Sequence, residues 1–511
     1  MQTDVIIIGA GPTGLALACQ FIRFGIDFVI IDKNETTTPH SKAIGVQART
    51  LEIYEQIGLA DDLIAQGTIA EAARMIEGGK LRGEIAFKDL GKGMSPYPFV
   101  LFVEQGDHER ILYDYIKSHG KEVRWQTELE SFTQDTAGVV AKIKKHSGET
   151  EPIEAKYLVG CDGSKSLVRR LLDLEFEGGT LERLFYVADV QIDWEFRHGA
   201  FYVCLAKETV TAFFPMRGAE NNYRIVGTFP EGHDKDEAEI LYEEVERQIV
   251  ADTELDLDIT GVNWFSVYKV HSRSVNKFSE GKCFLAGDSA HIHTPAGAQG
   301  MNTGIQDGYN LAWKLDLVLK GNASEKILDT YNEERLPNAK RLVQTTDRFF
   351  LLGASKTAFA SFVRTKVAPY IANFVFGLDF FRKRMFPLVS QIGINYRGSS
   401  IGQTVGNFNV KAGDRMPYFL VEGESIYERL HDSKFHLIRF FDGGRPGADL
   451  SDDFGGLVDS HSFPLYPNIA EIFGSSESFS VFLRPDNYIG LIATGHSPDA
   501  VNFYLDKILD K

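Results

Sequence analysis

A glycine-rich turn between a buried strand and a helix constrains the fold more than any other feature of this chain. Residues 4–8 read DVIII, the β-branched run that a buried parallel strand needs. The turn Gly9-Ala10-Gly11-Pro12-Thr13-Gly14 follows at once, and the apolar residues 15–24 predict a buried helix. Residues 28–31 predict a second strand that ends at Asp32. The N-terminus is therefore predicted to be a strand–turn–helix–strand nucleotide-binding unit.

Glycine is needed at each of the three positions of the G-x-G-x-x-G turn for a different physical reason. Gly9 permits the tight turn, Gly11 lets a pyrophosphate approach the backbone, and Gly14 lets the helix pack closely on the strand. The phosphates would lie at the helix N-terminus, where free N–H groups favour an anion. Asp32 stands where a carboxylate can bind ribose hydroxyls. The motif alone does not distinguish NAD from FAD.

Two later segments also end a predicted strand with an acidic turn. Residues 156–169 read KYLVGCDGSKSLVR, and Asp162-Gly163 breaks the strand. Residues 283–304 place Gly287-Asp288 at a strand end, and a glycine-rich loop leads into a helix predicted over 305–319. Asp288 suits the hydroxyls of a sugar alcohol, and the helix start suits negative charge on a reduced ring. Each segment alone is also compatible with an ordinary turn.

Taken together and in this order, the three motifs resemble the class A FAD-dependent aromatic hydroxylases, the para-hydroxybenzoate hydroxylase-like flavoprotein monooxygenases. The resemblance implies FAD in the first site and Asp288 at the ribityl chain. It implies that the Met301-Asn302 backbone faces the pyrimidine edge of the flavin. It also implies that Asp162-Gly163 serves both pyrophosphate binding and productive use of the nicotinamide donor.

Further segments share this resemblance. Gln105 opens a Gln-x-x-x-Glu/Arg-x-x-Leu pattern in which the glutamine approaches the flavin nucleotide. Lys42 and Arg49 match the family's segment after the second strand, in which many relatives carry Arg at the position of Lys42. For both residues, an ordinary surface charge is as good an interpretation as a cofactor contact. The candidate cofactor-binding residues are Gly9, Gly11, Pro12, Thr13, Gly14, Asp32, Lys33, Lys42, Arg49, Gln105, Asp162, Gly163, Gly287, Asp288, Pro295, Gly300, Met301 and Asn302.

The middle of the chain changes pattern. Short strand-like runs over 184–192, 200–205, 210–215 and 223–229 predict an antiparallel sheet. In the resembling family one face of this sheet and the cofactor domain enclose the substrate. Three aromatic residues are candidates for lining the pocket, and packing of the sheet is the alternative for each: Phe201, Phe213 and Phe214.

The predicted fold class is α/β, with a Rossmann-like FAD-binding domain, an inserted antiparallel substrate sheet and a thioredoxin-like C-terminal domain of the phenol-hydroxylase branch. The C-terminal domain has no Cys-x-x-Cys, so dithiol chemistry is not expected there. The predicted domains are 1–172 (FAD domain, first part, with about 70–105 contributing to the substrate sheet), 173–267 (substrate sheet), 268–394 (FAD domain, second part) and 395–511 (C-terminal domain).

Composition excludes several other classes of protein. Among 511 residues, 54 Lys and Arg against 71 Asp and Glu give a formal charge of −17, which disfavours a nucleic-acid surface. The four isolated cysteines predict neither disulfides nor a thiolate metal site and fit a cytoplasmic protein; no metal is expected. The most apolar long segment, 358–376, is interrupted by Arg364, Lys366 and Pro369, so no membrane span is expected.

The resemblance also implies a reaction. NADH or NADPH, binding transiently, would reduce FAD, and O₂ would form a C4a-hydroperoxide that hydroxylates a phenolic or polycyclic aromatic substrate. Pro295 would lie near the reacting edge of the flavin; no other catalytic residue is identified. The expected state is a monomer or a homodimer.

Three alternatives remain open at this point. An NAD-dependent dehydrogenase explains the first motif but leaves the Gly287–Asn302 region without a role. A flavin-dependent halogenase shares part of the fold, but the four tryptophans form no Trp-x-Trp pair. A flavin-dependent oxidoreductase or flavin-binding redox protein without hydroxylase activity would use the same cofactor motifs.

Overall fold

Three main β-sheets organise the computed structural model. It describes residues 1–39, 43–87, 90–206, 208–233, 236–294, 297–354, 379–443, 456–496 and 498–509. In chain order the strands are β1 (Gln2–Ile8), β2 (Phe28–Ile31), β3 (Gly45–Val46), β4 (Thr68–Ala70), β5 (Ala72–Glu77), β6 (Lys80–Ala86), β7 (Val100–Phe102), β8 (Val123–Arg124), β9 (Thr127–Gln134), β10 (Val139–Lys145), β11 (Thr150–Gly160), β12 (Phe176–Asp193), β13 (Ala200–Leu205), β14 (Val210–Pro215), β15 (Asn222–Thr228), β16 (Asp258–Val275), β17 (Ser279–Glu280), β18 (Cys283–Leu285), β19 (His291–Ile292), β20 (Gln403–Val405), β21 (Leu420–Val421), β22 (Glu424–Ser425), β23 (Phe435–Phe441), β24 (Val458–Pro464), β25 (Phe479–Leu483) and β26 (Ile489–Thr494).

Helices cover and connect these sheets. They are α1 (Pro12–Phe24), α2 (Ala48–Glu55), α3 (Ala60–Gln66), α4 (Gln105–Ser118), α5 (Leu167–Leu171), α6 (Tyr242–Thr253), α7 (Gly300–Leu319), α8 (Asp329–Ala354), α9 (Asp379–Val389), α10 (Pro467–Phe473) and α11 (Pro498–Leu509). Short 3-10 turns occupy 237–239, 287–289, 325–328 and 426–429. None of the helices in the described ranges combines the length and the apolar character needed to cross a membrane; segment 358–376 lies wholly outside those ranges.

The first sheet is built around parallel strands in the order β18-β11-β1-β2-β8. Strand β1 is buried from Val5 to Ile8, as its β-branched run requires. Helix α1 starts with Pro12, whose fixed φ suits the first helical turn, and ends at Gly25 with φ +71°. Helices α1 and α7 pack together because Gly304 and Gly308 allow a close approach.

The second sheet has the order β19-β16-β12-β15-β14-β13-β5-β6. Its middle strands pair antiparallel, and β5 joins β13 in parallel, so residues from before α4 extend this sheet. Helix α6 covers one face, where Val245 and Ile249 pack into the buried core of the sheet. The opposite face of the second sheet is directed toward the first sheet and its loops.

The third sheet, in the order β20-β26-β25-β23-β24, forms the C-terminal unit together with α10 and α11. A buried polar cluster attaches it to the rest of the molecule. Arg484 donates to both oxygens of Glu334 on α8, at 2.6 and 3.1 Å, and Trp313 on α7 donates to Asp486 at 3.1 Å. The three sheets and the helices around them confirm the predicted α/β class in its coarse form.

Candidate active site

Four parallel strands bring the predicted motifs to one edge of the first sheet. Ile8, the last residue of β1, pairs with Ile31 on β2 and with Gly160 on β11, and Gly160 pairs with Leu285 on β18. The segments that follow these four strands begin at Gly9, Asp32, Cys161 and Ala286. Carboxyl ends of parallel strands are where α/β sheets bind ligands. The edge therefore carries the three motifs and Asp32 together.

The glycine turn has the local geometry expected of a phosphate cradle. Gly9 has φ +104°, and a side chain there would collide with the backbone of Cys161. A methyl group on Gly14 would overlap the carbonyl oxygen of Gly9, so strand and helix are in contact at that point. A methyl group on Gly11 would meet nothing within 4 Å, and Gly11 provides no side-chain cap for α1. The helix start is thus open to a ligand beside Gly11.

Asp32 and Gln105 lie beside this turn. The Asp32 carboxylate accepts from the Ala10 backbone N–H at 2.7 Å and from Asn34 N at 2.8 Å, while Lys33 is exposed. Gln105 begins α4, and its amide donates to Glu109 at 2.8 Å. Burial raises the pKa of Glu109 to about 7, although the hydrogen bonds from Gln105 and from the backbone of Thr38 oppose that shift.

Asp162 binds the backbone at the start of α5, whose N-cap residue is Ser166. Its Oδ2 accepts from the backbone N–H groups of Leu167 and Val168 at 2.7 and 3.1 Å, at the start of α5. Its other oxygen, Oδ1, is buried and has no hydrogen-bond partner among the residues that the structure describes. Gly163 has φ +77° and open space around it. An unpartnered carboxylate oxygen beside an open glycine leaves room for a donor group of a ligand.

Gly287 lies where α1, β18 and α7 meet. With φ +65° it takes the left-handed conformation, and a side chain there, or at Gly304, would collide with the hydroxyl of Thr13. Thr13 is therefore packed between the Gly287 turn and α7. Asp288 lies in the 3-10 turn that follows and is exposed at the edge of the sheet.

A buried ionic cluster holds the Gly287 turn in place. Most of its members were not predicted from the sequence. Asp307 on α7 accepts from the Gly287 backbone at 2.9 Å, from His291 at 2.8 Å and from Arg335 at 2.6 Å. Burial alone would raise the pKa of Asp307, but Arg335 and His291 outweigh it and hold the pKa below its usual value. The cluster positions Gly287, and with it Asp288.

The start of α7 is held against the segment before α2. Asn302 is fully buried; its oxygen accepts from Gln47 N and Thr50 Oγ1, and its amide donates to the carbonyls of Gly45 and Ala298, all within 2.9 Å. Gln299 makes no side-chain cap, and within the described ranges no side chain accepts from the first N–H groups of the helix, from Gly300 onward. Met301 is half-buried beside them.

Three more residues were predicted to bind the cofactor: Arg49, Lys42 and Pro295. Arg49 is buried, pairs with Glu52 at 3.0 Å and donates to the Asp486 carbonyl at 2.8 Å. Two of its guanidinium nitrogens are therefore taken by Glu52 and by the C-terminal unit, and its burial contradicts the alternative of surface charge, so we do not propose Arg49 as a cofactor ligand. Lys42 and Pro295 lie outside the described residues.

The second sheet presents an apolar surface on the face away from α6. Along β13 and β14 buried and half-buried residues alternate, as the two-residue period of a strand requires. The half-buried side chains are all apolar: Phe201, Val203, Leu205, Val210, Ala212 and Phe214. Phe201 and Phe214 stack at 5.6 Å, and Phe102 on β7 contacts both rings. The apolar surface therefore extends from the second sheet to Phe102 on β7.

Phe213 does not share this surface, which corrects the prediction that grouped it with its neighbours. It is fully buried on the α6 side, 4.9 Å from the ring of Trp194. Adjacent residues of a strand point to opposite faces, so Phe213 and Phe214 cannot line the same pocket.

Arg224 on β15 connects the second sheet to the cofactor side. It is fully buried and donates to both oxygens of Asp189 on β12, at 2.7 and 2.6 Å. Its remaining nitrogen, Nη1, donates to the Ala43 carbonyl at 3.1 Å. Ala43 immediately precedes the segment that holds α7, so this hydrogen bond links the second sheet to that segment.

Comparison with known proteins identifies the family. The model of the FAD-binding domain family matches residues 2–346. A flavin-dependent monooxygenase of Mycobacteroides abscessus is 31% identical over 504 residues, covering 96% of each chain. The chain belongs to the FAD-dependent aromatic hydroxylases. This family supports FAD in place of NAD, and hydroxylation in place of a redox protein without hydroxylase activity.

Two further hydroxylases from Streptomyces rimosus are similar. A 6-methylpretetramide 4-monooxygenase is 36% identical over 365 residues, covering 70% of this chain and 63% of that protein. A solved structure of an anhydrotetracycline hydroxylase matches with a TM-score of 0.79 and 26% identity over 100% of both chains. The FAD-binding domain family and this structural match confirm the coarse fold prediction.

The residues at the edge of the first sheet fit the cofactor of an FAD-dependent hydroxylase. The open side of Gly11 and the uncapped start of α1 suit a pyrophosphate. The exposed carboxylate of Asp288 suits the hydroxyls of a ribityl chain, and the start of α7 suits the electron-rich end of a flavin ring.

Proposed function

We propose that this hydroxylase acts on a planar, polycyclic phenol, which binds between the apolar face of the second sheet and the start of α7. The observation that carries the proposal is the row of six half-buried apolar side chains from Phe201 to Phe214. A surface of this kind binds an extended aromatic ring system better than a small polar phenol. The similarity to a 6-methylpretetramide and an anhydrotetracycline hydroxylase supports the same substrate class.

We assign the cofactor contacts as follows. Gly11, Pro12 and Thr13 at the start of α1 bind the pyrophosphate, and Asp32 the ribose. Asp288 binds the ribityl chain, and the backbone of Gly300–Asn302 faces the ring. When bound and reduced by NADH or NADPH, FAD would provide the activation of O₂, of which one atom would enter the substrate while the other would leave as water.

The chain's own residues then have three tasks in this proposal. The N–H groups at the start of α7 stabilise negative charge on the reduced ring, because they carry the positive end of the helix dipole. The apolar face orients the substrate and excludes water. The Asp307 cluster keeps Gly287-Asp288 in place, so that cofactor and substrate meet at a fixed distance.

The domain organisation belongs to the same proposal. We assign the three sheets to an FAD domain split around a substrate domain, followed by a thioredoxin-like C-terminal domain that packs on α7 and α8 without redox chemistry. We further propose that the protein is cytoplasmic, as a monomer or homodimer, and that NAD(P)H binds only transiently.

A substrate screen tests this proposal. Purified protein is incubated with NADH or NADPH and a panel of phenols that ranges from single rings to four fused rings. We expect polycyclic phenols to stimulate NAD(P)H oxidation most and to gain one oxygen atom by mass spectrometry. Equal or better turnover of single-ring phenols would contradict the proposed substrate class, and stimulated oxidation without an oxygenated product would contradict hydroxylation of that compound.

A further inference from the structure

Three side chains in the C-terminal sheet form a group with the composition of a metal site. Within the described ranges, His436, Asp459 and His461 are the residues whose ligand atoms come together in this way. His436 on β23 pairs with Asp459 on the parallel strand β24, and His461 lies two residues beyond Asp459. With the two-residue period of a strand, all three side chains lie on one face of the sheet.

The distances among the three ligand atoms match those of a zinc site. His461 Nε2 lies 3.3 Å from His436 Nδ1 and 3.3 Å from Asp459 Oδ2, and the third edge, from His436 Nδ1 to Asp459 Oδ2, is 3.9 Å. Tetrahedral zinc with bonds of about 2.0–2.2 Å places neighbouring ligand atoms about 3.3–3.6 Å apart. In the plane of the three atoms, the point equidistant from them lies about 2.0 Å from each, which is close to the length of a zinc–nitrogen bond.

The surroundings suit a bound cation with one open position. His436 is fully buried, so its ring is held in place by its surroundings before an ion binds. Asp459 is 33% exposed and His461 16%, which leaves a path for the ion and space for a water ligand. The nearby guanidinium of Arg23 is directed at the backbone, since it donates to the carbonyls of His431 and Asp432.

The set of ligands also narrows the choice of metal. Two imidazoles and one carboxylate suit zinc, whereas calcium and magnesium prefer oxygen ligands throughout. The three residues connect β23 to β24, the edge strand of the sheet. An ion held by both strands would fasten that edge.

We propose that His436, Asp459 and His461 bind one zinc ion, with water as the fourth ligand, and that the ion stabilises the edge of the C-terminal sheet. This site departs from the sequence-based expectation of no metal. It uses none of the residues assigned to FAD or to the aromatic substrate.

Zinc binding to the full-length holoenzyme tests the proposal. Protein is treated with a chelator, exchanged into metal-free buffer and titrated with zinc chloride by calorimetry, with metal content measured by mass spectrometry. We expect one zinc ion per chain and an increase in the thermal unfolding midpoint on zinc addition. His461→Gln and Asp459→Asn should each weaken zinc binding by at least about tenfold. Both should keep the flavin spectrum and phenol-stimulated NAD(P)H oxidation.

The matched control is His496→Gln, which removes an imidazole from the same domain, bonded there to Ser480. It should leave zinc affinity unchanged. The two test variants alter partly exposed residues, so they are expected to fold even if a change at His436 does not. Absence of stoichiometric binding, or equal binding by wild type, His461→Gln and Asp459→Asn, would overturn the proposal.

Discussion

Replacing Gly11 and Gly14 separately with alanine distinguishes a turn shaped for a ligand from one shaped only for packing. A methyl group at Gly11 has no heavy atom within 4 Å, and φ is −76°, which any residue adopts. The free energy of unfolding should therefore change by less than about 0.5 kcal/mol. The same methyl group would occupy the space through which a pyrophosphate approaches the backbone. A steric cost of about 2 kcal/mol corresponds to FAD binding weakened about 30-fold.

Gly14→Ala should show the opposite pattern. Its methyl group would overlap the carbonyl oxygen of Gly9, a backbone atom that cannot rotate away. The strand and helix must separate, and we expect about 3 kcal/mol of destabilisation. Any loss of FAD would then accompany a loss of stability, whereas in Gly11→Ala it would not.

The assay measures FAD affinity and stability on the same samples. Apoprotein is titrated with FAD by quenching of flavin fluorescence, and unfolding of the apoprotein is followed in urea. Gly398→Ala is a suitable control because Gly398 also has nothing within 4 Å and lies far along the chain from the turn. Normal FAD affinity in Gly11→Ala, or a large loss of stability in that variant, would refute the assignment of the turn to the cofactor.

Three further predictions concern residues around the site. Asp307→Asn removes the charge between Arg335 and His291 and should lower the free energy of unfolding by about 3–5 kcal/mol in urea and weaken FAD binding. Phe213→Ala should cost about 3–5 kcal/mol of stability with little change in substrate KM, whereas Phe214→Ala should raise substrate KM with a smaller loss of stability. The pKa of Glu109 is raised from 4.5 to about 7 on folding, so the folded state binds this proton more tightly than the unfolded state does. The free energy of unfolding should therefore fall by about 2 kcal/mol as the pH rises from 5 to 8. Glu109→Gln should lose that part of the pH dependence.

Each of these predictions has an outcome that would contradict it. Asp307→Asn with wild-type stability would show that the ionic cluster does not support the loop. Equal effects of the two phenylalanine variants on KM would contradict the assignment of Phe213 and Phe214 to opposite faces. An unchanged pH profile in Glu109→Gln would mean that another group titrates in this range.

The N-terminal unit could be predicted from the sequence because its determinants are local. The strand, the turn and the helix are each determined by residues close in sequence: the run at 4–8, the glycine spacing and Gly25. The structure shows α1 from Pro12 to Phe24, with Gly25 as its left-handed cap. The strands at 200–205 and 210–215 were likewise predicted at their observed bounds. Alternation and turn residues suffice for such elements.

The supporting contacts could not be predicted, because they join residues far apart in the chain. Asp307 and Arg335 are separated by 28 residues, and Arg224 and Asp189 by 35. Arg49 appeared to be a cofactor ligand, but its partner, the Asp486 carbonyl, lies 437 residues away in the C-terminal unit. No local pattern reports on such a partner.

The faces of the substrate sheet show a subtler limit. Phe213 and Phe214 are chemically identical neighbours, and which of them faces the cofactor depends on the phase of β14 relative to α6. That phase follows from the packing of the whole sheet. The proposed zinc ligands illustrate the same point, since His436 meets Asp459 and His461 only through the pairing of β23 with β24.

The central claim, that this protein uses FAD to place one oxygen atom from O₂ on a polycyclic phenol, is tested most directly with isotopic oxygen. The phenol that best stimulates NAD(P)H oxidation is turned over under ¹⁸O₂ in unlabelled water, and the product is examined by mass spectrometry. The account predicts one ¹⁸O atom in each product molecule. Oxygen derived from water, or NAD(P)H oxidation that yields only hydrogen peroxide with every phenol of the panel, would contradict it.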